Sequence, residues 1–321
     1  MYMSEAKKYR GKHGFEIIKT EHFGIQRKIV ANMTSESWRT IPHSAAIYEA
    51  DITDFLEFFK ANIKPKGITL NTVLLKAMTM GIKNCPQMNG HIEFNRRLVR
   101  GKIETYKDIN ISMPMIMPSG DMMTINLHNF ENRTLENMQS YILDVKRRME
   151  KTDLTEAMFS VSMSDTLSAL KKGKLITTFG RLIGAKTGRH KVVTLRGKDK
   201  KNYNSIPADE RLTKEDIEQG TITITSTGSV YRGSHNTMSV IEVIPPQISA
   251  IGIGSISEKP GIYTDRNGEK QIGIRMFLPV LLAFDHRTLD FGDLTPFFKS
   301  LMIYLPHRSK CSNGSVKRPK L

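Results

Sequence analysis

A histidine lies between acidic and basic residues at the end of a long apolar run, in the stretch LLAFDHRTLDFGDL (281–294). Histidine is the side chain most often used as a general acid and base, so His286 could take a proton from a substrate and return it. The preceding run is apolar enough for a strand buried on both faces, which would place the imidazole at the strand's end. A histidine there is also common as a structural residue, and the aspartates beside it could cap a helix that begins near Asp293. The residues alone leave both interpretations open.

A second candidate group is the hydroxyl of Thr225, at the end of TITIT (221–225). Strict alternation predicts a strand with Ile222 and Ile224 on one face and the threonines on the other. Thr225 is then either the last residue of a polar strand face or a hydroxyl available to a reaction. Cys85 and Cys311 are too few and too far apart in sequence for a metal cluster or a disulfide framework, so we expect no metal site.

Helical and strand patterns are mixed along the chain. Helices are predicted at 51–63, 70–84, 134–149 and 293–304, and strands at 44–50, 93–117 (a pair), 221–225, 239–244, 248–256 and 273–284. A turn is predicted at 118–121, after the strand pair. This mixture predicts an α/β or α+β fold, with a mixed sheet packed against helices.

The chain has 321 residues, 39% of them hydrophobic, which is enough for one large domain over 1–304. The formal net charge is +16, and residues 171–201 hold eleven Lys or Arg against one acid. We interpret about 153–210 as a basic insertion and 305–321 as a disordered basic tail. No apolar stretch is long enough to span a membrane, and charges occupy the place of a signal peptide's apolar region, so we expect a cytoplasmic protein.

The residues around His286 resemble a family signature, Asp-His-Arg-x-x-Asp-Gly. Asp285, His286, Arg287 and Asp290 stand in register with it, whereas Phe291 takes the place of its glycine. The signature is that of the catalytic core of the dihydrolipoyl acyltransferases of 2-oxo acid dehydrogenase complexes, which are relatives of chloramphenicol acetyltransferase. The resemblance implies a two-layer sandwich of the chloramphenicol acetyltransferase type.

Further segments resemble the same family in the same order, over about residues 15–150 and 211–304. These segments are GIQRKIVANM (24–33), WRTIPHSAAIYEADITDFLEFF (38–59), LNTVLLKAMTMGIKNCPQMNG (70–90), KEDIEQGTITITSTG (214–228) and VIPPQISAIGIGSI (243–256). Several matches in order are more specific than one motif.

The resemblance implies acyl transfer between coenzyme A and a thiol such as dihydrolipoamide, or another small acceptor. His286 matches the family's general base, and Thr225 matches the residue whose hydroxyl stabilises the oxyanion. Asp290 matches an aspartate that pairs with an arginine near the start of the fold, here Arg27. That pair is expected to hold the histidine loop in place.

Other roles also come from the resemblance. Asp285 and Arg287 are expected to support the site, and Ser226 and Gly228 to contact coenzyme A. The active site is expected between subunits of a homotrimer or a higher multiple of trimers. No lipoyl-bearing module is visible in this sequence, so a separate lipoyl protein is an expected partner.

Two alternatives remain open. The first is a catalytically inactive oligomeric scaffold that uses the basic insertion to bind an acidic partner. A membrane surface is a less favoured partner, because the glycines of the insertion argue against a strong amphipathic helix. The second is nucleic-acid binding by the basic block. We do not expect the second, because the block lacks interleaved aromatic residues and no recognised nucleic-acid-binding motif accompanies it.

Overall fold

A computed structural model of the chain describes residues 15–118, 120–171, 192–230, 239–265 and 267–305. The helices are α1 (Ile25–Thr40), α2 (Thr53–Phe58), α3 (Leu70–Asn84), α4 (Leu135–Glu150), α5 (Leu154–Lys171), α6 (Gly197–Ser205), α7 (Lys214–Ile217), α8 (Thr227–Val230) and α9 (Thr295–Tyr304). The strands are β1 (His43–Asp51), β2 (Gly90–Asn95), β3 (Arg100–Thr105), β4 (Ile111–Ile116), β5 (Met122–Leu127), β6 (Ile222–Ser226), β7 (Ser249–Ile253), β8 (Ser257–Thr264) and β9 (Lys270–Asp285).

A mixed sheet of seven strands forms the centre of the described structure. Its order is β1-β9-β7-β6-β4-β5, and β8 pairs with the first half of β9. The pairs β7–β6 and β6–β4 are parallel, while β1–β9, β9–β7, β8–β9 and β4–β5 are antiparallel. The strands β2 and β3 form a separate hairpin. The predicted mixed sheet packed with helices is confirmed.

Helices cover one face of this sheet and enclose the main core. Ten of the fifteen residues of α3 are buried, and the Thr69 hydroxyl caps the helix by accepting a hydrogen bond from the Thr72 amide at 3.3 Å. A Cβ at Gly81 would lie 2.7 Å from the ring of Phe297, so glycine lets α3 and α9 approach closely. The second half of β9 is buried throughout, as predicted for a strand covered on both sides.

The opposite face of the sheet has a smaller apolar cluster, formed in part by residues 239–244. The prediction of a strand there is wrong, because the segment has no strand pairing. Side chains bind its backbone instead: Ser37 Oγ donates to the Val243 carbonyl at 2.7 Å, and the Val243 amide donates to His43 Nε2 at 3.1 Å. Because its backbone amide and carbonyl are hydrogen-bonded in this way, the buried Val243 can pack against Ala250 and Ala283 of the sheet.

Other parts of the prediction need correction or lie outside the described residues. Residues 93–117 contain the second half of β2 and all of β3 and β4, rather than one pair of strands. The predicted insertion begins with the long helix α5 and includes α6, while 172–191 and the tail 306–321 lie outside the described ranges. Within those ranges, no helix is long and apolar enough to cross a membrane.

Candidate active site

The turn after β9 carries His286 and is fixed by an ion pair between its neighbours. Asp285 is fully buried and accepts hydrogen bonds from the Arg287 amide at 2.9 Å and from its guanidinium at 2.5 to 3.1 Å. The Arg287 guanidinium also lies over the Phe94 ring, with 5.4 Å from Cζ to the ring centroid. The structure thus places Asp285 and Arg287 where they brace the histidine turn.

The His286 imidazole lies at the surface of the chain beside Asp290. Its side chain is 40% exposed, and Nδ1 lies 3.2 Å from Asp290 Oδ1. An ionised carboxylate can only accept a hydrogen bond, so this contact favours the neutral tautomer whose proton is on Nδ1. Nε2 then carries the free lone pair, as a general base requires.

Two aromatic rings flank His286, and the sequence predicted a role for neither. The centroid of the imidazole lies 5.6 Å from that of Phe284 and 5.8 Å from that of Phe291. Phe284 is completely buried, whereas Phe291 is 55% exposed. The sequence shows only that Phe291 replaces the glycine of the family signature, and this replacement alone does not predict a contact with His286.

Thr225 lies near the end of β6, on the face opposite the main core. Ile222 and Ile224 point into that core, so the alternation places Thr225 on the other side, where it is half-buried. Within the described residues, its hydroxyl has no hydrogen-bond partner. It is therefore available as a donor.

Thr225 and His286 do not meet within one chain. Thr225 pairs with Gly252 of β7, which pairs with Leu281 of β9. From Leu281 to Asp285, β9 runs roughly 13 Å further, and the two intervening strand spacings add roughly 10 Å sideways. One chain thus presents the two groups on separate parts of its surface.

The predicted ion pair between Arg27 and Asp290 is not formed. Arg27 is exposed on α1, and none of the residues in the described ranges pairs with its guanidinium. Asp290 is 80% exposed and contacts His286, and its amide donates to Asp293 Oδ2 at 2.8 Å. The short spacing from His286 to Asp290 lets the aspartate reach the imidazole directly, so this local contact replaces the expected long-range pair.

Ser226 and Gly228, the residues predicted to contact coenzyme A, lie at the end of β6 and in α8. Ser226 is the last residue of β6 and is half-buried. A Cβ at Gly228 would lie 2.4 Å from the Gly254 carbonyl oxygen, so packing against the chain after β7 already requires glycine there. Their predicted role in coenzyme binding stays a prediction.

Other potential sites lie away from His286. A cavity of about 540 Å³ is lined by residues of α5, α6 and α7 and by the segment before α7, and its lining includes neither His286 nor Thr225. In the part of the chain that the structure describes, no group of three or more His, Cys, Asp or Glu side chains could hold a metal ion. The exposed histidine turn is therefore the group whose geometry fits catalysis best.

The fold and this turn define a protein of mixed-sheet architecture with a histidine at the end of a central strand. The family model described as 2-oxoacid dehydrogenases acyltransferase (catalytic domain) matches residues 16–164 and 197–310. The chain belongs to this family. Residues 165–196, which lie within the predicted insertion, are outside the match.

Individual relatives agree with the family assignment. The chain is 22% identical over 273 residues to the lipoamide acyltransferase component of the branched-chain alpha-keto acid dehydrogenase complex of Bacillus subtilis, covering 83% of this chain and 47% of that protein. A probable dihydrolipoamide acetyltransferase from Listeria monocytogenes has the same fold, with a TM-score of 0.59, 21% identity and coverage of 89% of this chain and 94% of that one. The dihydrolipoamide acetyltransferase of Azotobacter vinelandii matches with a TM-score of 0.58 and 19% identity, over 91% and 92% of the two chains. The chain thus spans about half the length of its Bacillus relative.

Proposed function

We propose that this protein transfers an acyl group between coenzyme A and a thiol acceptor of the dihydrolipoamide type. The observation that carries the proposal is the contact between His286 Nδ1 and Asp290 on the exposed turn after β9. With the proton of a neutral imidazole on Nδ1, Nε2 would be the free base that a thiol requires, on a side chain that is 40% exposed. The family of the chain agrees with this chemistry.

The imidazole would move one proton in each direction. Nε2 of His286 takes the proton of the attacking thiol, whose unperturbed pKa is about 8.5, as the sulfur attacks the thioester carbonyl carbon. The carbonyl π electrons move to the oxygen and form a tetrahedral intermediate. When the oxygen's electrons return, the C–S bond to the leaving thiol breaks, and the imidazolium gives that sulfur its proton.

The Thr225 hydroxyl would donate to the oxyanion of that intermediate. Because one chain keeps Thr225 far from His286, the donor has to come from a neighbouring copy. The hydroxyl lacks a partner within the described chain, and this supports a role across a subunit contact. Crystallographic and enzymatic work on the Azotobacter vinelandii enzyme addresses the roles of a serine, a histidine and an asparagine in its mechanism. Thr225, His286 and Asp290 offer a hydroxyl, an imidazole and a hydrogen-bonding side chain.

The hairpin formed by β8 and the first half of β9 supports assembly of several copies. Ile262, Ile272 and Ile274 are 70%, 79% and 76% exposed. Ile272 and Ile274 lie on the same face of β9 as Leu278, which is buried in the main core. The face of β9 that is buried at Leu278 is therefore exposed at Ile272 and Ile274, as expected where a second subunit packs. We take the assembly to be a trimer, with coenzyme A and a separate lipoyl-bearing protein as substrates.

The test is a set of substitutions in the purified protein, with acetyl-coenzyme A and dihydrolipoamide as substrates. His286→Ala is expected to lower kcat about 100-fold or more, because a general base is lost. Thr225→Ala is expected to lower kcat about 100-fold, while Thr225→Ser retains the hydroxyl and most of the activity. Circular dichroism and sedimentation should show unchanged fold and assembly in all three variants.

Two results would count against this function. The first is a His286→Ala variant with the wild-type rate. The second is a wild-type protein that makes no product with a panel of thiol, hydroxyl and amine acceptors, which would favour a scaffold that binds without catalysis.

A further inference from the structure

Phe291 stands where the family signature has a glycine, and its ring packs against the imidazole of His286. The two ring planes lie at 88°, with 5.8 Å between centroids. This perpendicular arrangement is one that aromatic pairs favour. A glycine has no side chain to make the contact, so a chain with the unmodified signature lacks it.

The ring of Phe291 is itself held from the core. Phe284 is fully buried near the end of β9, and its centroid lies 5.2 Å from that of Phe291, with the planes at 90°. The same Phe284 ring contacts the imidazole at 5.6 Å. Phe284 cannot move without opening the core, so it fixes the ring of Phe291. The two phenylalanine rings together flank the imidazole.

The backbone at Phe291 is fixed as well. Phe291 begins a short 3-10 helix, Phe291–Leu294. Immediately before it, the Asp290 amide donates to Asp293 Oδ2 at 2.8 Å, and the Asp293 amide donates to the Asp290 carbonyl at 3.0 Å. Leu294 anchors the other end in the core. The ring therefore extends from a rigid turn.

We propose that Phe291 is a positioning residue for His286. An imidazole that is 40% exposed would otherwise rotate between several staggered orientations. Phe291 blocks rotation on one side while Asp290 holds Nδ1, so that Nε2 keeps the single orientation in which it can reach the thiol. This role rests on the proposed acyl transfer, because it assigns to Phe291 the orientation of that reaction's base.

The test compares Phe291→Gly, which restores the signature residue, with Phe291→Tyr, which retains a ring. In the full-length assembled protein, Phe291→Gly is expected to lower kcat about tenfold, since small misplacements of a reacting group are costly. Its KM for acetyl-coenzyme A should stay within about twofold, because ground-state binding is unaffected. Phe291→Tyr should retain the wild-type kcat. Wild-type kcat in Phe291→Gly, or an equally low kcat in Phe291→Tyr, would overturn the proposal.

A matched variant separates positioning from packing. Met302 is 51% exposed on α9, and Met302→Ala removes a similarly exposed apolar side chain away from the turn. It should lower the melting temperature slightly without changing kcat. If both variants lowered kcat equally, Phe291 would act only through general stability.

A structural readout keeps this proposal separate from the catalytic one. A wild-type protein without any acyl transfer would refute the proposed function but would leave the orientation of His286 measurable. Crystal structures should show one His286 rotamer in the wild type and a displaced or multiply oriented ring in Phe291→Gly. A single unchanged rotamer in Phe291→Gly would refute the positioning role, whatever the activity.

Discussion

Thr225 lies level with Leu281 in the sheet, whereas His286 follows the end of the same strand as Leu281, roughly 13 Å further along. If the active site combines these two residues, each site takes its histidine from one subunit and its threonine from another. Variants that lack one of the two groups should then complement each other. Two differently tagged chains, His286→Ala and Thr225→Ala, can be co-expressed and purified as mixed assemblies.

The mixed assemblies should regain activity that neither variant has alone. With equal amounts of the two chains around a ring of heterologous contacts, roughly a quarter of the sites pair an intact histidine with an intact threonine. A mixed preparation of His286→Ala with His286→Gln is the control and should stay inactive. Absence of recovery in verified mixed assemblies would show that the site does not combine residues of two subunits.

Asp290 should act through its contact with His286, in which Oδ1 lies 3.2 Å from Nδ1. Asp290→Asn keeps an amide oxygen that can face Nδ1, whereas Asp290→Ala removes it. We expect Asp290→Ala to lower kcat about tenfold, the rate equivalent of about 1.4 kcal/mol, and Asp290→Asn to stay within a few-fold of wild type. Steady-state kinetics at fixed pH measures the difference.

Asp209→Ala is the control for this comparison, since it removes an exposed carboxylate from the segment between α6 and α7. It should leave kcat unchanged. Equal kcat values for Asp290→Ala and wild type would remove Asp290 from the mechanism.

The exposed face of the β8–β9 hairpin should be required for assembly. Ile272→Thr and Ile274→Thr keep β-branched residues suited to a strand but place hydroxyls in the apolar face. The double variant is expected to shift the protein toward smaller species in sedimentation velocity and to lose activity in parallel, because dissociation separates Thr225 from His286. Because both side chains are exposed in the single chain, the fold should survive.

Val193→Thr, which changes a residue 69% exposed outside the hairpin, is the control and should leave assembly unchanged. A double variant that sediments like the wild type would show that this face is not a subunit contact.

The sequence predicted the helices α3 and α4 and the strand β9 because each has a long, regular pattern of apolar residues. It also predicted Asp285, His286 and Asp290 as one group, since they are close together in sequence. Proximity of His286 to Thr225 was expected only through the resemblance, and the sheet register keeps the two residues apart within one chain.

Features that depend on distant partners could not be predicted. Residues 239–244 have strand-forming side chains, yet Ser37 and His43, some 200 positions earlier in the sequence, bind the backbone of Val243 and keep it out of the sheet. The α5 helix lacks a clear apolar stripe, and contacts with α1 and α7 accompany it in the fold. The pairing of Phe291 with His286 required the exact geometry of the turn.

A buried ion pair joins α4 to the short helix before β6. Arg148 donates to Asp216 at 2.6 and 3.1 Å, and both residues are buried. Asp216→Asn should lower the free energy of unfolding by about 3 kcal/mol, because it removes the buried counter-charge of the guanidinium and leaves only the half-exposed Asp144 carboxylate, 3.0 Å away. Replacing both partners, as Arg148→Met with Asp216→Leu, should cost much less, since neither variant residue carries a charge. Urea unfolding at pH 7 measures both, and equal losses in the single and double variants would contradict this account.

The same pair should contribute to acid sensitivity. Burial raises the pKa of the Asp216 carboxyl, but hydrogen bonds from Arg148 and Thr213 outweigh that effect and hold the pKa below its ordinary value. A carboxyl whose pKa is lower in the folded state stabilises the fold above its unfolded pKa of about 3.9, and this contribution is lost as the pH falls below that value. Unfolding free energies measured from pH 6 to pH 3 should therefore fall less steeply in the double variant than in the wild type. Some slope should remain, because the pKa of Asp51 is also lowered by its hydrogen bond from Arg275 despite the opposing effect of burial. Identical slopes in the two proteins would mean that Asp216 titrates alike in the folded and unfolded states.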